Sequence, residues 1–293
     1  MRDGKISSVR NVNLLSKGRV YDALHAEDGM APILYGNILR RIFSSHLACG
    51  DTVLEGGAFL GGHTLAMVDQ VAPLGRVIAF EASAHAAAAL RTRADAEDLA
   101  DAIDIRHAAI ADYNGHAEFS RVPAPPQPPD RPPHPGLPQA GSSQPWSSAI
   151  RARAIDFTIE GGEVPVVRLD DGLEPGHPVR MLVLDLAGGE LAALRGARRI
   201  LAEERPLILF RHAGSRAAAA HGYTAEEFRD FFDAIDYELH DILGFRFDVQ
   251  DWSTGRRPNW YLGVPGEDHV SKGTLHGMIE DVVHQHGLSA AFS

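Results

Sequence analysis

Residues 52–83 read TVLEGGAFLGGHTLAMVDQVAPLGRVIAFEAS, and their order decides the fold. A buried strand is expected over 51–54, running into Glu55. Glycines at 56, 57, 61 and 62 make a turn, and Leu65, Val68 and Ala72 then follow a helical period. A second apolar run over 76–80 ends in Glu81. The stretch is therefore strand, glycine loop, helix, strand, with a carboxylate closing each strand.

Working outward, 33–47 places Ile33, Leu34, Ile38, Leu39, Ile42 and Phe43 at helical spacing, with Arg40 and Arg41 on the other side. The spacing also predicts a helix over 85–99 and a third strand over 103–110. Composition then breaks at 122–145, which contains PAPPQPPDRPPHPGLPQAGSSQP. Proline cannot donate to a strand ladder, so this is a surface insertion, flanked by strand material at 115–120 and 155–167. Beyond it come a strand at 179–186 (VRMLVLDL), a helix at 191–201 with Arg195, Arg198 and Arg199 exposed, and a strand at 206–210. Thr224 and Glu227 form a capping box ahead of Phe228, Phe231, Phe232 and Ile235. Strands at 237–243 and 260–264 leave no room for a helix between them, so a hairpin with one antiparallel strand is expected.

Strands alternating with helices imply parallel pairing. The expectation is an α/β fold: a doubly wound, seven-stranded, mostly parallel sheet with a Pro-rich insertion. Residues 1–44 form an N-terminal helical cap, 45–265 the main domain, and 266–293 a polar tail with one short helical stretch. No internal repeat is visible.

With 293 residues, 44% hydrophobic and 23% charged, the chain has enough apolar material for a packed core. The formal net charge of -11 argues against nonspecific nucleic-acid binding, which needs clustered Lys and Arg. Cys49 is the one cysteine, which excludes an intrachain disulfide and a cysteine-based zinc site; a half-buried thiol is expected there. The first 20 residues carry no apolar signal core, and no window reaches the length needed to span a bilayer. The expected setting is a soluble, reducing, cytoplasmic one.

In open α/β sheets, ligands bind beyond the carboxyl ends of the strands. Glu55, Glu81 and Asp185 each close a strand there. An ionised carboxylate only accepts, so Glu81 suits the two hydroxyls of a ribose. The dinucleotide fingerprint G-x-G-x-x-G fails, since Gly56 is followed two later by Ala58 and Gly57 by Phe59. A carboxylate just before the glycines would repel a pyrophosphate, which disfavours a nicotinamide oxidoreductase. The same carboxylate favours the ammonium of an amino-acid-bearing cofactor. S-adenosylmethionine has that ammonium, a sulfonium and a ribose diol.

The segment E-G-G-A-F-L-G-G-H-T resembles the D-x-G-A-N-x-G-x-x-T loop of the FkbM-type S-adenosylmethionine-dependent methyltransferases. RVIAFEAS is similar to that family's second strand, and VRMLVLDLAGGELAALRGARRIL to its K-I-D-V-E-G-x-E segment and following helix. HAAIADYNGHAEF, ERPLILF and NWYLGVP resemble its third, fifth and last strands, so the likeness covers about 45–265. The resemblance implies a class I, Rossmann-like methyltransferase fold. It implies that Glu55, Gly56, Gly57, Ala58 and Gly61 shape the methionine pocket, that Thr64 caps the next helix, and that His63 stands near its start. It places Glu81, Ala82 and Ala109 along the ribose and base, and Asp185 and Glu190 at the acceptor side. The chain departs from the family at Phe59 (asparagine), Val183 (lysine), Ala187 (glutamate) and Arg211 (an acid).

The implied reaction is O-methylation of a hydroxyl on a sugar, glycolipid or secondary metabolite, with a small-molecule or carbohydrate acceptor. Asp185 is the first candidate base and His212 the second, while Arg211 offers an anchor for an anionic acceptor. A divalent metal on Asp185 with Asp170, Asp171 or Glu190 is a further option, and the Pro-rich insertion with Trp146 a candidate lid. The alternative, from another class, is a non-catalytic binding or scaffold protein with a degenerate acceptor site.

Overall fold

A computed structural model describes residues 17, 21–22, 24, 30–120, 161–173, 178–212, 214–253 and 259–285. The Pro-rich insertion, Trp146 and residues 286–293 lie outside the described residues.

The main sheet has seven strands in the order β3-β2-β1-β7-β8-β10-β9. Its parallel part comprises β1 (Thr52–Gly56), β2 (Arg76–Glu81), β3 (Ile103–His107), β7 (Val179–Leu184) and β8 (Leu207–Arg211). β10 (Trp260–Pro265) lies between β8 and β9 (Tyr237–Asp241) and runs antiparallel to both. The expected hairpin is there, with its later strand inserted in the sheet between β8 and its earlier strand.

Strand period 2 sends successive side chains to opposite faces. Val53, Val77, Met181 and Val183 enter one core. Leu54, Ile78, Leu182 and Leu184 enter the other. The first core is covered by α1 (Met30–His46), α2 (Thr64–Val71), α3 (Ala84–Ala96) and α8 (His269–Gln285). The second is covered by α4 (Glu190–Arg195), α5 (Arg198–Glu203), α6 (Ser215–Ala220) and α7 (Ala225–Ala234). Burial on both faces is why β1 and β10 are buried at every position, and why edge strand β9 alternates.

Several expectations are corrected. The 103–110 run divides at Ala108: β4 (Ala109–Ile110) leaves the main sheet and pairs with β6 (Gly161–Val167), which also pairs with β5 (Gly115–Ser120). The 191–201 helix divides into α4 and α5 around Gly196, where a Cβ would collide with the Ala111 carbonyl. Arg199 is half-buried, bonding Asp170 and Glu204. The short tail helix is the 17-residue α8, packed on α1. Ile33 is 62% exposed although its neighbours Leu34 and Ile38 are buried, and Cys49 is exposed. The Thr224–Glu227 capping box forms as expected.

Candidate functional site

Because β1, β2, β7 and β8 are parallel, their last residues share one edge of the sheet. Glu55, Glu81, Asp185 and Arg211 all stand there. The order reverses between β1 and β7, which opens the crevice at that edge.

The loop after β1 is folded back onto β2. The amides of Gly57 and Ala58 both donate to the Phe80 carbonyl, at 2.9 and 3.1 Å. Gly57 has φ +79 and lies against the Asp185 carbonyl, where a Cβ has no room. Gly61 has φ +79 and closes on Leu90, and Gly56 is packed against Ile110. These three positions need glycine for conformation, for close approach, or for both. Phe59 has φ 50, a left-handed conformation that costs a bulky residue about 1–2 kcal/mol. The asparagine of the resembling loop is suited to that geometry.

Glu55 is buried, and its Oε2 accepts from the Thr64 hydroxyl at 2.5 Å. Burial pushes its carboxyl up to about 7; the Thr64 hydrogen bond opposes the rise, and Glu81 and Asp185 add to it. Thr64 is therefore a partner of the acid, and it is the first residue of α2. His63 precedes it, with its ring edge-on to Trp260 at 5.1 Å and to Phe43 at 6.3 Å. Burial, then the Arg211 charge, holds its imidazole down to about 3, so it is neutral.

Glu81 is anchored by backbone. Its Oε2 accepts from the Phe59 amide at 2.7 Å and its Oε1 from the Ser83 amide at 2.8 Å. Ser83 then caps α3 by accepting from Ala86. Ala82 follows, its carbonyl accepting from His107 Nε2 at 3.1 Å. Ala109 is half-buried in β4, paired with Val166 of β6.

The other half of the crevice holds two further units. Asp185 Oδ2 accepts from Arg211 Nε at 2.8 Å, and Nη2 stands 2.8 Å from the same oxygen in the ion pair. Glu190, fully buried, accepts from the Leu186 amide at 2.7 Å and the Gly188 amide at 2.9 Å, which fixes the turn between β7 and α4. Burial pushes its carboxyl up to about 7, against those backbone hydrogen bonds. Ala187 in this turn has φ 55, and Gly188 has φ +118.

His212 is fully buried. The Gly214 amide donates to its Nδ1 at 2.8 Å, so Nε2 carries the proton and donates to the Tyr223 hydroxyl at 2.8 Å. Tyr223 donates in turn to the Gly188 carbonyl at 2.7 Å. Trp252 stacks on the imidazole at 3.8 Å between centroids. The candidate base read from the sequence is thus enclosed beneath the Gly188 turn. Tyr223 and Trp252 are the partners that sequence reasoning missed; no spacing rule connects them to His212.

Asp170 and Asp171 stand apart from these units. Asp170 accepts from the Arg199 and Ile200 amides at 2.9 and 3.1 Å, capping α5, and Asp171 accepts from Asn114 at 2.8 Å. Among the described residues no group of three or more His, Cys, Asp or Glu could hold a metal ion.

Residues 55–247 match the family model described as methyltransferase FkbM domain. No curated protein matches the sequence. Similar solved structures include a methyltransferase FkbM from Methylobacillus flagellatus KT, 15% identical with a TM-score of 0.42, covering 73% of this chain and 43% of that one. This chain thus spans less than half the length of that protein. An O-methyltransferase from Bacillus cereus in complex with SAH is 12% identical with a TM-score of 0.38, covering 88% and 91%. The O-methyltransferase TomG from Streptomyces achromogenes, involved in tomaymycin synthesis and in complex with SAM, is 11% identical with a TM-score of 0.40, covering 89% and 93%.

Proposed function

The chain belongs to the FkbM methyltransferase family, and we propose that it transfers the methyl group of S-adenosylmethionine to a hydroxyl of a sugar, glycolipid or secondary metabolite. One observation carries this reading: Glu55 and Glu81 close adjacent parallel strands on either side of a loop whose glycines admit close approach. The two acids fit the two polar ends of the cofactor. Glu55, ringed by other carboxylates, favours the ammonium and sulfonium charges. Glu81 is held rigid by Phe59 and Ser83, and an ionised carboxylate at that strand end suits a ribose diol. Gly56, Gly57, Ala58 and Gly61 form the wall between them, with His63 and Thr64 behind and Ala82 and Ala109 on the base side.

When bound, the cofactor supplies an electrophilic methyl group. The residues of this chain then position the acceptor hydroxyl in line and take its proton. Asp185 is the acid at the crevice that is still part-exposed, and we assign it the proton. His212 and Glu190 hold the Gly188 turn beside it.

A second reading is a binding protein that performs no transfer. It draws on the engagement of both candidate bases, Asp185 with Arg211 and His212 with Tyr223. The experiment separating the two is calorimetric titration with S-adenosylhomocysteine, followed by transfer of a tritiated methyl group to a panel of hydroxylated sugars and small molecules. Binding with transfer supports the enzyme; binding without transfer to any acceptor supports the second reading; no binding sinks both. Among the described residues no helix is long and apolar enough to cross a membrane.

A further inference from the structure

Four carboxylates converge on this edge of the sheet: Glu55, Glu81, Asp185 and Glu190, of which all but Asp185 are buried. Asp185 lies close enough to both Glu55 and Glu190 to contribute to the rise in their carboxyls. An acceptor entering here meets a negative field. Arg211, the last residue of β8, places a guanidinium inside that field.

The way Arg211 is held is informative. An arginine guanidinium presents two bidentate edges, Nε–Nη2 and Nη1–Nη2, each able to serve an anion. Asp185 takes only the edge between Nε and Nη2, and does so with a single oxygen, Oδ2. This pairing leaves the edge between the two terminal nitrogens, Nη1 and Nη2, outside the ion pair. The Arg211 side chain is 40% exposed and that of Asp185 24%, so the pair stands open while the other three acids are closed. The Arg211 backbone is fixed by pairing with Trp260 across β10, and the next residue, His212, donates its amide to the Asn259 carbonyl at 2.8 Å. A rigidly based, half-exposed guanidinium whose Nη1–Nη2 fork is unengaged among the described residues is the arrangement that binds carboxylate or phosphate bidentately.

We propose that the acceptor carries an anionic group, a carboxylate or a phosphate, and that the Nη1–Nη2 edge of Arg211 receives it as the specificity-determining contact. This rests on the methyltransferase reading above and deepens it. The anion sits beside Asp185, which the same guanidinium keeps compatible with a second negative charge. The acceptor's hydroxyl then faces the crevice between β1 and β7. The proposal narrows the acceptor class to hydroxy acids, sugar acids and phosphorylated sugars or metabolites.

The test uses the full chain and two probes, inorganic phosphate and acetate, titrated separately at constant ionic strength. Each is measured by calorimetry with and without saturating S-adenosylhomocysteine. At least one probe binds the native chain, and Arg211→Gln weakens that binding by about tenfold or more. Arg211→Lys, which keeps the charge and loses the fork, restores part of it. Asp185→Asn strengthens it, because the guanidinium is released from its competitor; a purely structural ion pair would give no such gain. Preference for phosphate identifies a phosphorylated acceptor and preference for acetate a carboxylate. The proposal is overturned if neither probe binds, if Arg211→Gln binds as the native chain does, or if Asp185→Asn leaves the affinity unchanged. S-adenosylhomocysteine affinity is measured separately in each variant. Its absence in the native chain sinks the donor assignment, while the titrations without it still judge Arg211.

Discussion

The Phe59 amide donates to Glu81 Oε2 at 2.7 Å, so the first glycine loop is tied to the acid that closes the second strand. Phe59 adopts φ 50 to make this bond. Removing the side chain while keeping a Cβ retains the strain, and removing the Cβ relieves it. Phe59→Gly is therefore expected to be more stable than Phe59→Ala by about 1 kcal/mol, the reverse of the usual order. Urea unfolding of the two variants checks this; equal midpoints would show that the loop relaxes away from the left-handed region.

Glu81 serves both the loop and the proposed ribose contact. Glu81→Ala should abolish measurable S-adenosylhomocysteine binding by calorimetry while circular dichroism shows a folded chain. Unchanged affinity would sink the ribose assignment.

Glu55 gives a pH signature. In the unfolded chain this carboxyl releases its proton near 4.5, and in the fold at about 7. Between those values the folded state holds the extra proton, so stability falls as pH rises and levels off above 7. Glu55→Gln removes this slope. From about pH 5 to about pH 8 the variant should gain roughly 2.5 kcal/mol relative to the native chain. Histidines held down by desolvation, such as His46 and His63, act with the opposite sign but cancel in the comparison. A pH-independent difference in urea midpoints would refute it.

The same carboxyl couples to the cofactor. A cationic ligand beside Glu55 favours its ionised form, so binding S-adenosylmethionine below pH 7 should release a proton. Calorimetry in two buffers of different ionisation enthalpy reads that proton, and Glu55→Gln should abolish it. Equal heats in both buffers for the native chain would place the ligand's charge elsewhere.

Tyr223 links His212 to the Gly188 turn. Tyr223→Phe leaves two buried polar groups short of a partner and should cost about 1–3 kcal/mol in unfolding free energy. If His212 acted as a base instead of a support, Tyr223→Phe would alter the pH profile of transfer with little loss of stability.

The parts of this fold legible in the sequence are those set by local chemistry. The strands before Glu55 and Glu81 show as apolar runs, and the Thr224–Glu227 box is a four-residue signal that forms as read. Family membership was legible through the strung-out motifs. What was not legible depends on distant residues. The 103–110 strand divides because β6, more than 50 positions later, draws Ala109 and Ile110 away. The 191–201 helix breaks because Gly196 abuts Ala111. Asp185 and Arg211 were each singled out, yet their ion pair spans 26 positions and no periodicity announces it. His212 reads from the sequence as a candidate base; its enclosure by Trp252 and Tyr223, which neighbour it only in space, is not legible there.

The antiparallel insertion of β10 has a consequence for how this crevice can change over time. Because β9 ends and β10 begins on the ligand edge, Asp241 and Trp260 stand at that edge along with the Asp185 and Arg211 ends. The Glu55 and Glu81 side is encoded by a separate, much earlier stretch of the chain. The two walls of one cleft are therefore encoded apart but touch, Trp260 on His63 and the Asp185 carbonyl on Gly57, so substitutions in the later wall reach the earlier one through those contacts.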